Sequence, residues 1–467
     1  MDTIIQPSLF PMLLKMASNY LADQERLKRY SFDKIKKVRD KNFLNLLKYA
    51  KTVPLYTKKF AEAGIDIKDI KGFSDIEKFP IIHRDDLIAH FPSGIIAPGM
   101  KDKSIMVSTS GSTRNPVTLY LDQFTLLKAL IVYARELKNY GIRWNKARIS
   151  LIANFYSSTA PTQYFASGAS PAFKPVGFAF STNNIQQVNC DDELSSIVND
   201  VDKFKPECIM GFPGPIRHLA LYREKGYGQN INPKCIISSG GILDKFEKKH
   251  IAEVFNTKVY DIYSANEVGP VSFECDEGNY HIHSDIVNVE AIDSKGNLKE
   301  KGKEGILAIT RTYGRGTPLI RYTGMGDIIS LKEGECSCGL HTELMEAVHG
   351  RVKESIVLPS GKVIYPRALL DVPGSVMRNL KTNKIHMNQV IQESLTKIDV
   401  LVIIDEENRD KEPSTEQFLQ ALENKYKEII GDGVDVNVKE VKELQSEKDR
   451  PDSKPGVISK VDANKYL

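Results

Sequence analysis

The chain of 467 residues carries 64 Lys and Arg against 60 Asp and Glu, a formal charge of +4, and the two signs are interspersed. No nucleic-acid-binding footprint stands out from this balance. Apolar residues make up 41% and charged residues 27%, values that exclude a disordered, fibrous or disulfide-scaffold protein. The length exceeds what one hydrophobic core usually supports, so two or three domains are expected.

The N-terminal segment is apolar on one side but meets Lys15 and Asp23 too early for a membrane-spanning helix. It has no signal-peptide cleavage pattern, and no other run of about 18 uncharged apolar residues follows. We therefore expect a cytoplasmic protein without a membrane partner. Its six cysteines should be reduced there, and they act as core residues, ligands or nucleophiles.

The predicted elements begin with helices over residues 11 to 63, interrupted near Tyr30 and again at Pro54. Residues 104 to 121 change to a strand, a polar turn and a second strand. Strand-like and helical runs then alternate from ISLIANF to VYDIYSA, the signature of βαβ units and a mainly parallel sheet. The pattern becomes rich in strands and turns from Val287, which predicts a small β subdomain at about 285–350.

The remaining residues, 351–467, carry their own strands and a helix and are numerous enough for a small α+β domain. The predicted fold class is therefore α/β, with a large N-terminal domain over 1–350 and a small C-terminal domain over 351–467. No internal repeat is visible.

The first candidate site is the turn at residues 108–113. Its small hydroxyl residues and glycine can offer backbone N–H groups and side-chain O–H groups to phosphate oxygens. The turn lacks the G-K-[ST] ending of a Walker loop, and no G-x-G-x-x-G follows a strand. Taken alone, the same residues also describe an ordinary surface loop.

Two further motifs supply the candidates Glu267, Asp327 and Arg351. Glu267 comes just after the apolar run KVYDIY, where a parallel sheet binds ligands, and could hold magnesium on a triphosphate. Asp327 follows glycines and could accept from both ribose hydroxyls, while Arg351 could bridge ribose and phosphate with its planar fork. A solvated strand-end Glu, a turn Asp and a surface Arg remain the plain alternatives. Only the combination and order of these residues carry weight.

In this order and spacing, the motifs resemble the adenylate-forming superfamily and, within it, the phenylacetate–CoA ligase branch. The resemblance covers nearly the whole chain and rests on these segments: LLKYAKTVPLYTKKFAEAGI, FPIIHRDDL, FKPECIMGFPGPI, CIISSGGIL, VYDIYSANEVGPVSFEC, PLIRYTGMGDI and HGRVKESIVLPSGKVIYP. It implies an ATP-dependent acid–thiol ligase that forms an acyl-adenylate, releases pyrophosphate and passes the acyl group to coenzyme A. It also implies a mobile C-terminal domain.

The resemblance implies a set of ATP-binding residues: Ser108, Thr109, Ser110, Gly111, Ser112, Thr113, Gly240, Gly241, Tyr263, Asn266, Asp327 and Arg351. Among them, the glycines and Tyr263 would contact adenine and Asp327 the ribose. Glu267 would hold Mg²⁺, and Arg351 would contact ribose and phosphate. Lys353 would be the pivot of the C-terminal domain.

Some positions depart from the family pattern. Arg114 stands where Gly is usual, no Lys follows Pro116, and Asn266 replaces Thr. The catalytic C-terminal lysine normally follows Gly, and Lys454 fits this position best if Ser453 replaces that Gly. Lys460 is the fallback, and a solvated tail lysine is the plain alternative for either.

The resemblance places Phe155, Tyr156, Tyr164 and Ser239 at the substrate pocket. The surrounding sequence departs from the phenylacetate pattern, and aromatic residues of this kind are often ordinary core. The sequence gives only a mild preference for an aryl or cyclic acid as the substrate. The partners expected are therefore a small carboxylic acid and an acceptor thiol or amine, and a homodimer is compatible with the sequence.

The usual ligands of a closed structural zinc site include three thiols and one imidazole. The sequence offers such a set in Cys275, His281, Cys336 and Cys338. Some members of the branch resemble this in carrying a zinc at the base of the β subdomain. His283 and His341 are alternative ligands, and a reduced, metal-free cluster is the other alternative. The remaining cysteines are interpreted as core or incidental residues: Cys190, Cys208 and Cys235.

Two other functions stay open. One is an amide synthetase of the same fold that transfers the acyl group to an amine or amino acid. The other is a non-catalytic relative that binds nucleotide or acyl ligand, which the irregular Arg114 and the uncertain lysine would allow. A serine hydrolase is not supported because no G-x-S-x-G elbow occurs.

Overall fold

The computed structural model describes residues 23–108, 116–155, 183–446 and 455–466. Within these residues the α-helices are α1 Arg26–Arg29, α2 Phe32–Ala50, α3 Pro54–Glu62, α4 Arg84–His90, α5 Gln123–Asn139, α6 Leu194–Phe204, α7 Pro213–Glu224, α8 Lys245–Phe255, α9 Pro366–Asn379 and α10 Thr415–Ile430. The breaks predicted near Tyr30 and at Pro54 are confirmed. None of the described helices is both long enough and apolar enough to cross a membrane.

Local sequence explains where several helices begin. Prolines occupy the first turn of α3, α7 and α9, where the missing N–H costs no intrahelical bond. Asp122 and Asp244 cap α5 and α8 by accepting backbone N–H groups that have no partner within the helix. Ser414 and Gln417 form a reciprocal capping box at the start of α10.

The described strands are β1 Ser104–Ser108, β2 Thr118–Asp122, β3 Ile149–Ala153, β4 Ile185–Asn189, β5 Cys208–Gly211, β6 Cys235–Ser239, β7 Lys258–Ala265, β8 Gly269–Glu274, β9 Tyr280–Ile282, β10 Val287–Ile292, β11 Glu304–Arg311, β12 Leu319–Tyr322, β13 Asp327–Lys332, β14 Leu344–Met345, β15 Gly350–Arg351, β16 Ile356–Val357, β17 Val363–Ile364, β18 Ile385–Ser394, β19 Lys397–Ile404, β20 Asp435–Glu440 and β21 Val457–Ser459. Strands β1 and β2 pair antiparallel on either side of the predicted phosphate turn.

Thirteen strands form one mixed sheet, in the order β10-β11-β13-β14-β9-β8-β7-β6-β5-β3-β4, with β12 beside β11 and β15 beside β13. Strands β3 to β7 pair in parallel, whereas β8 to β15 pair antiparallel. The α/β class is confirmed. The predicted β subdomain is the antiparallel end of the same sheet, because β8, β9 and β14 connect it to the parallel end.

The parallel strands are buried on both faces, as their continuous apolar runs predict. On one face, α6, α7 and α8 contribute Ile197, Ile216 and Ile251 to a cluster with sheet residues such as Ile236. On the other face, Leu137 of α5 belongs to a second cluster. Cys208 and Cys235, on adjacent strands, are buried in this second cluster, so the core interpretation of these two cysteines is confirmed.

A buried charge network fastens the N-terminal helices to the sheet. Arg135 of α5 donates through both terminal nitrogens to the carboxylate of Asp285, at 2.9 and 3.1 Å. Arg26 of α1 donates to the same carboxylate at 2.9 Å. The Asp285 side chain is 0% exposed and that of Arg135 is 1% exposed, so neither charge has access to bulk water. The network therefore ties α1 and α5 to the turn that precedes β10.

The C-terminal part has its own four-stranded sheet, in the order β20-β19-β18-β21, and its own apolar cluster with α9 and α10. Arg351 still pairs with Asp327 across β15 and β13, so the N-terminal sheet extends one residue past the predicted boundary. The domain limits remain a prediction. Arg367 of α9 contacts the N-terminal part by donating to the carbonyls of Val348 at 2.7 Å and Leu243 at 3.2 Å.

Candidate active site

Tyr263, Asp327 and Arg351 form a hydrogen-bonded group where the parallel and antiparallel parts of the sheet meet. The phenol of Tyr263 donates to Oδ2 of Asp327 at 2.5 Å. The Nε of Arg351 lies 3.5 Å from Oδ1 of the same carboxylate. Asp327 and Arg351 face each other because they are directly paired residues of antiparallel strands β13 and β15. The structure thus brings together three residues that lie far apart in sequence.

Glu267 lies in the turn between β7 and β8 and is buried. Burial raises the pKa of Glu267, the negative charge of Asp327 raises it further, and Arg351 partly offsets both effects. Burial likewise raises the pKa of Asp327, although Arg351 and the phenol of Tyr263 oppose this. Two interacting carboxyl groups with raised pKa values form a site that a cation would stabilise.

Arg311 is a site residue that the sequence interpretation missed. From β11, its Nη1 donates to the backbone carbonyl of Glu267 at 2.8 Å, and its Nη2 donates to that of Thr317 at 2.7 Å. The side chain is almost fully buried. Arg311 therefore fixes the turn that carries Glu267. The available signal was an arginine directly after the apolar run GILAIT.

Gly240 and Gly241 follow β6, on the strand next to Tyr263. Gly240 has φ +80°, and a Cβ there would lie 2.3 Å from the ring of Phe212. A Cβ on Gly241 would lie 2.9 Å from Pro213. Side chains are thus excluded at both positions, which leaves backbone exposed at the carboxyl end of the parallel sheet, the edge where such sheets bind ligands. Ser239 precedes them, and its Oγ lies 3.1 Å from that of Ser264.

The structure describes only some of the other predicted site residues. Ser108 ends β1, with its Oγ 2.9 Å from that of Thr118. Phe155 follows β3, and its N–H donates to Asn189 at 3.3 Å. Asn266 precedes Glu267 in the same turn. The remaining predicted site residues lie outside the described residues: Thr109, Ser110, Gly111, Ser112, Thr113, Tyr156, Tyr164 and Lys454.

Of the three lysines predicted near the hinge and the tail, Lys353 and the fallback Lys460 are described. Lys353 lies in a one-turn 3-10 helix, Val352–Glu354, directly after β15, with its Nζ 3.9 Å from Glu354. Lys460 directly follows β21 and forms an ion pair with Glu393 of β18. That pair lies within the C-terminal sheet, so Lys460 is engaged by its own domain.

The structure assembles the predicted metal-ligand set at the antiparallel part of the sheet. The ligand atoms of Cys275, His281, Cys336 and Cys338 all lie within 4.8 Å of one another. The sulfurs of Cys275 and Cys336 are 3.6 Å apart, and that of Cys338 is 3.2 Å from Nε2 of His281. Ligands of a tetrahedral zinc at about 2.3 Å from the metal lie about 3.8 Å apart. The donor set and its spacing therefore fit zinc.

The structure decides between the alternative histidines. Nδ1 of His281 lies 2.8 Å from the hydroxyl of Thr342, so its Nε2 is the nitrogen that faces the cysteines. His283 is turned away, with Nδ1 2.7 Å from Arg135 and Nε2 2.6 Å from Glu136. Because arginine only donates, Nδ1 of His283 accepts and its Nε2 carries the proton. Neither His283 nor His341 belongs to the cluster.

The sequence has relatives of known name over most of its length. The phenylacetate-coenzyme A ligase of Thermus thermophilus is 25% identical over 356 residues, which cover 73% of this chain and 76% of the relative. The enzyme of the same name from Escherichia coli is 23% identical over 354 residues. No protein-family model matches the sequence. The aligned relatives, the motif order and the fold all point to the same kind of protein.

The chain is similar in sequence and in fold to adenylate-forming acyl-CoA ligases. The crystal structure of a 2-hydroxyisobutyryl-CoA ligase in the postadenylation state, in complex with 2-HIB-AMP, has the same fold, with a TM-score of 0.76 at 20% identity. The match covers 93% of this ligase and 91% of the other chain. The same protein in the thioesterification state gives a TM-score of 0.60.

Proposed function

We propose that this ligase activates a carboxylic acid with ATP as an acyl-adenylate, releases pyrophosphate, and transfers the acyl group to coenzyme A. The observation that carries the proposal is the group of Tyr263, Asp327 and Arg351 beside Glu267, at a site that the backbone of Gly240 and Gly241 leaves open. Such a group offers an aromatic face, a carboxylate for a ribose and a guanidinium for a phosphate. Relatives named phenylacetate-coenzyme A ligase support the reaction.

In the first half-reaction, an oxygen of the substrate carboxylate attacks the α-phosphate, and the bond to pyrophosphate breaks. The enzyme's contribution is positioning and charge neutralisation, and no enzyme nucleophile is required. Arg351 would neutralise charge on the transferring phosphate, and Asp327 would hold the ribose. In the second half-reaction, the thiol of coenzyme A attacks the acyl carbonyl and AMP leaves.

Magnesium would be held by Glu267. A buried carboxylate whose pKa is raised by burial and by a second carboxylate gains most from a divalent cation, and oxygen is the ligand that Mg²⁺ prefers. When bound, the cation would neutralise charge on the triphosphate. Arg311 would keep Glu267 in place through its bond to the backbone carbonyl.

Glu267→Gln should leave the fold intact and lower pyrophosphate release by on the order of tenfold or more, since a neutral amide holds magnesium far less well than a carboxylate. The measurement is pyrophosphate release over a magnesium titration. Glu277→Gln, an exposed position ten residues along, is the matched control and should behave as wild type. Equal rates for the Glu267 variant and wild type at low magnesium would remove Glu267 from the metal site.

The acid is the open part of the proposal. A panel should include aryl and cyclic acids, with phenylacetate and 2-hydroxyisobutyrate as the acids that the relatives' names suggest. Coenzyme A and amines should be compared as acceptors, because consumption of an amine instead of the thiol would make the protein an amide synthetase. Absence of ATP–pyrophosphate exchange with every acid would favour a non-catalytic binding protein.

Lys353 is proposed as the pivot on which the C-terminal domain turns between the two half-reactions.

The cysteine cluster is proposed as a structural zinc site, closed by four protein ligands and separate from the chemistry. The protein purified without chelators should contain about one zinc per chain. Cys336→Ser should lower the zinc content and reduce Tm by several degrees while changing kcat little. Cys190→Ser, which removes a cysteine outside the cluster, is the matched control. Stoichiometric iron, or no metal at all, would contradict the assignment.

A further inference from the structure

The Asp327 carboxylate is engaged on both oxygens by protein groups. Tyr263 donates to Oδ2 at 2.5 Å, and Arg351 lies 3.5 Å from Oδ1. An ionised carboxylate offers about four lone-pair positions, two on each oxygen. Counting only partners among the described residues, one position on each oxygen is taken and one on each remains. The Asp327 side chain is 11% exposed, so it is not fully shielded from solvent.

We propose that Tyr263 acts through its hydroxyl as a positioning residue that holds the Asp327 carboxylate in the orientation that recognises both hydroxyls of a ribose. This inference rests on the proposed nucleotide site. It assigns to the phenol O–H a role separate from that of the ring, which would lie against adenine. Tyr263 and Arg351 fix the carboxylate from two sides, so that the two remaining positions face one vicinal diol.

Two features of the structure support this role. Asp327 opens β13 beside a glycine-rich turn, where a carboxylate held from one side only could rotate about χ2. Burial and the neighbouring negative charge of Asp327 raise the pKa of Tyr263 well above its ordinary value, so the phenol keeps its proton and donates. Hydrogen bonds to a charged acceptor are also the strong class of hydrogen bond.

The chain contains a matched control for the same chemistry. Tyr280 of β9 donates to Oδ2 of Asp261 at 2.7 Å, and Asp261 is also buried. Both pairs join a tyrosine to an aspartate across the same sheet, but the Tyr280 pair is not part of the proposed nucleotide site. Tyr280→Phe therefore removes an equivalent hydrogen bond without touching nucleotide recognition.

The test is calorimetric binding of AMP, 2′-deoxy-AMP and 3′-deoxy-AMP to wild type, Tyr263→Phe and Tyr280→Phe. Tyr263→Phe keeps the ring and should weaken AMP binding roughly tenfold. It should weaken the two deoxy nucleotides much less, because each already lacks one of the hydroxyls that Asp327 would bind. The preference for AMP should therefore shrink in Tyr263→Phe and stay at the wild-type value in Tyr280→Phe.

Two results would overturn the inference. One is an AMP affinity of Tyr263→Phe equal to that of wild type. The other is an equal loss for all three nucleotides, which would mean that the substitution disturbs the ring contact or the fold. Asp327→Asn provides a second route, since it should reduce the same preference without altering Tyr263. Binding of AMP requires no acid, so a wild-type protein that discriminates the nucleotides yet activates no acid would refute the proposed reaction and leave this inference standing.

Discussion

Lys454→Ala should slow ATP–pyrophosphate exchange by on the order of a hundredfold or more, the range expected for losing one preorganised charge contact. A lysine that meets the α-phosphate only while the C-terminal domain is in its adenylating orientation matters for making the adenylate and little for consuming it. Thioester formation from chemically supplied acyl-adenylate should therefore survive. The two half-reactions, measured separately, check this.

Lys460→Ala distinguishes between the two candidate lysines of the tail. In the structure Lys460 pairs with Glu393 within the C-terminal sheet, whereas Lys454 lies outside the described residues. We expect Lys460→Ala to retain adenylation. If it shows the adenylation defect and Lys454→Ala does not, the alignment of the tail is wrong by six residues. If neither lysine affects exchange, the protein has departed from the family mechanism at this step.

Asp285→Asn should destabilise the protein by about 3–5 kcal/mol, because it leaves the buried guanidinium of Arg135 without its counter-charge. The substitution preserves size, so the loss reports the charge and its hydrogen bonds. Urea unfolding at pH 7 measures the effect. Asp75→Asn is the matched control, since Asp75 pairs with Lys78 on the surface, and it should change the unfolding midpoint far less. A midpoint for Asp285→Asn equal to that of wild type would contradict the prediction.

The same variant makes a prediction about pH. Burial alone would raise the pKa of Asp285, but the charge and hydrogen bonds of Arg135 hold it well below its usual value. A carboxyl group with a depressed pKa contributes stability above its unfolded value of about 3.9, and this contribution is lost as the pH falls. The difference between wild type and Asp285→Asn should therefore be constant from about pH 5 to 8 and shrink below about pH 4. If the difference in stability between wild type and Asp285→Asn persists at acid pH, the loss of stability comes from altered packing and not from the charge.

The order of elements was predictable from the sequence because it is written in local patterns. Apolar runs of strand length alternated with helical periodicity, and the breaks near Tyr30 and at Pro54 followed from turn residues and from proline. The strand end that carries Tyr263 could be read in the same way, and Asp327 was recognised as a residue that follows glycines. The order of the sequence motifs then indicated which family the chain resembles. Local periodicity could not show that the predicted β subdomain continues the parallel sheet, because strand pairing depends on residues far apart in the chain.

Tertiary structure alone decided the contacts between distant residues. The sequence proposed His281 as the metal ligand, with His283 and His341 as alternatives, and only the packing of α5 against the sheet commits both nitrogens of His283 to Arg135 and Glu136. It also gave no reason to connect Arg311 with Glu267, or the Tyr263 hydroxyl with Asp327. The sequence determined which chemical groups the protein has and on which elements they lie. Folding decided which of them meet, because a side chain's partner depends on the three-dimensional approach of strands and helices.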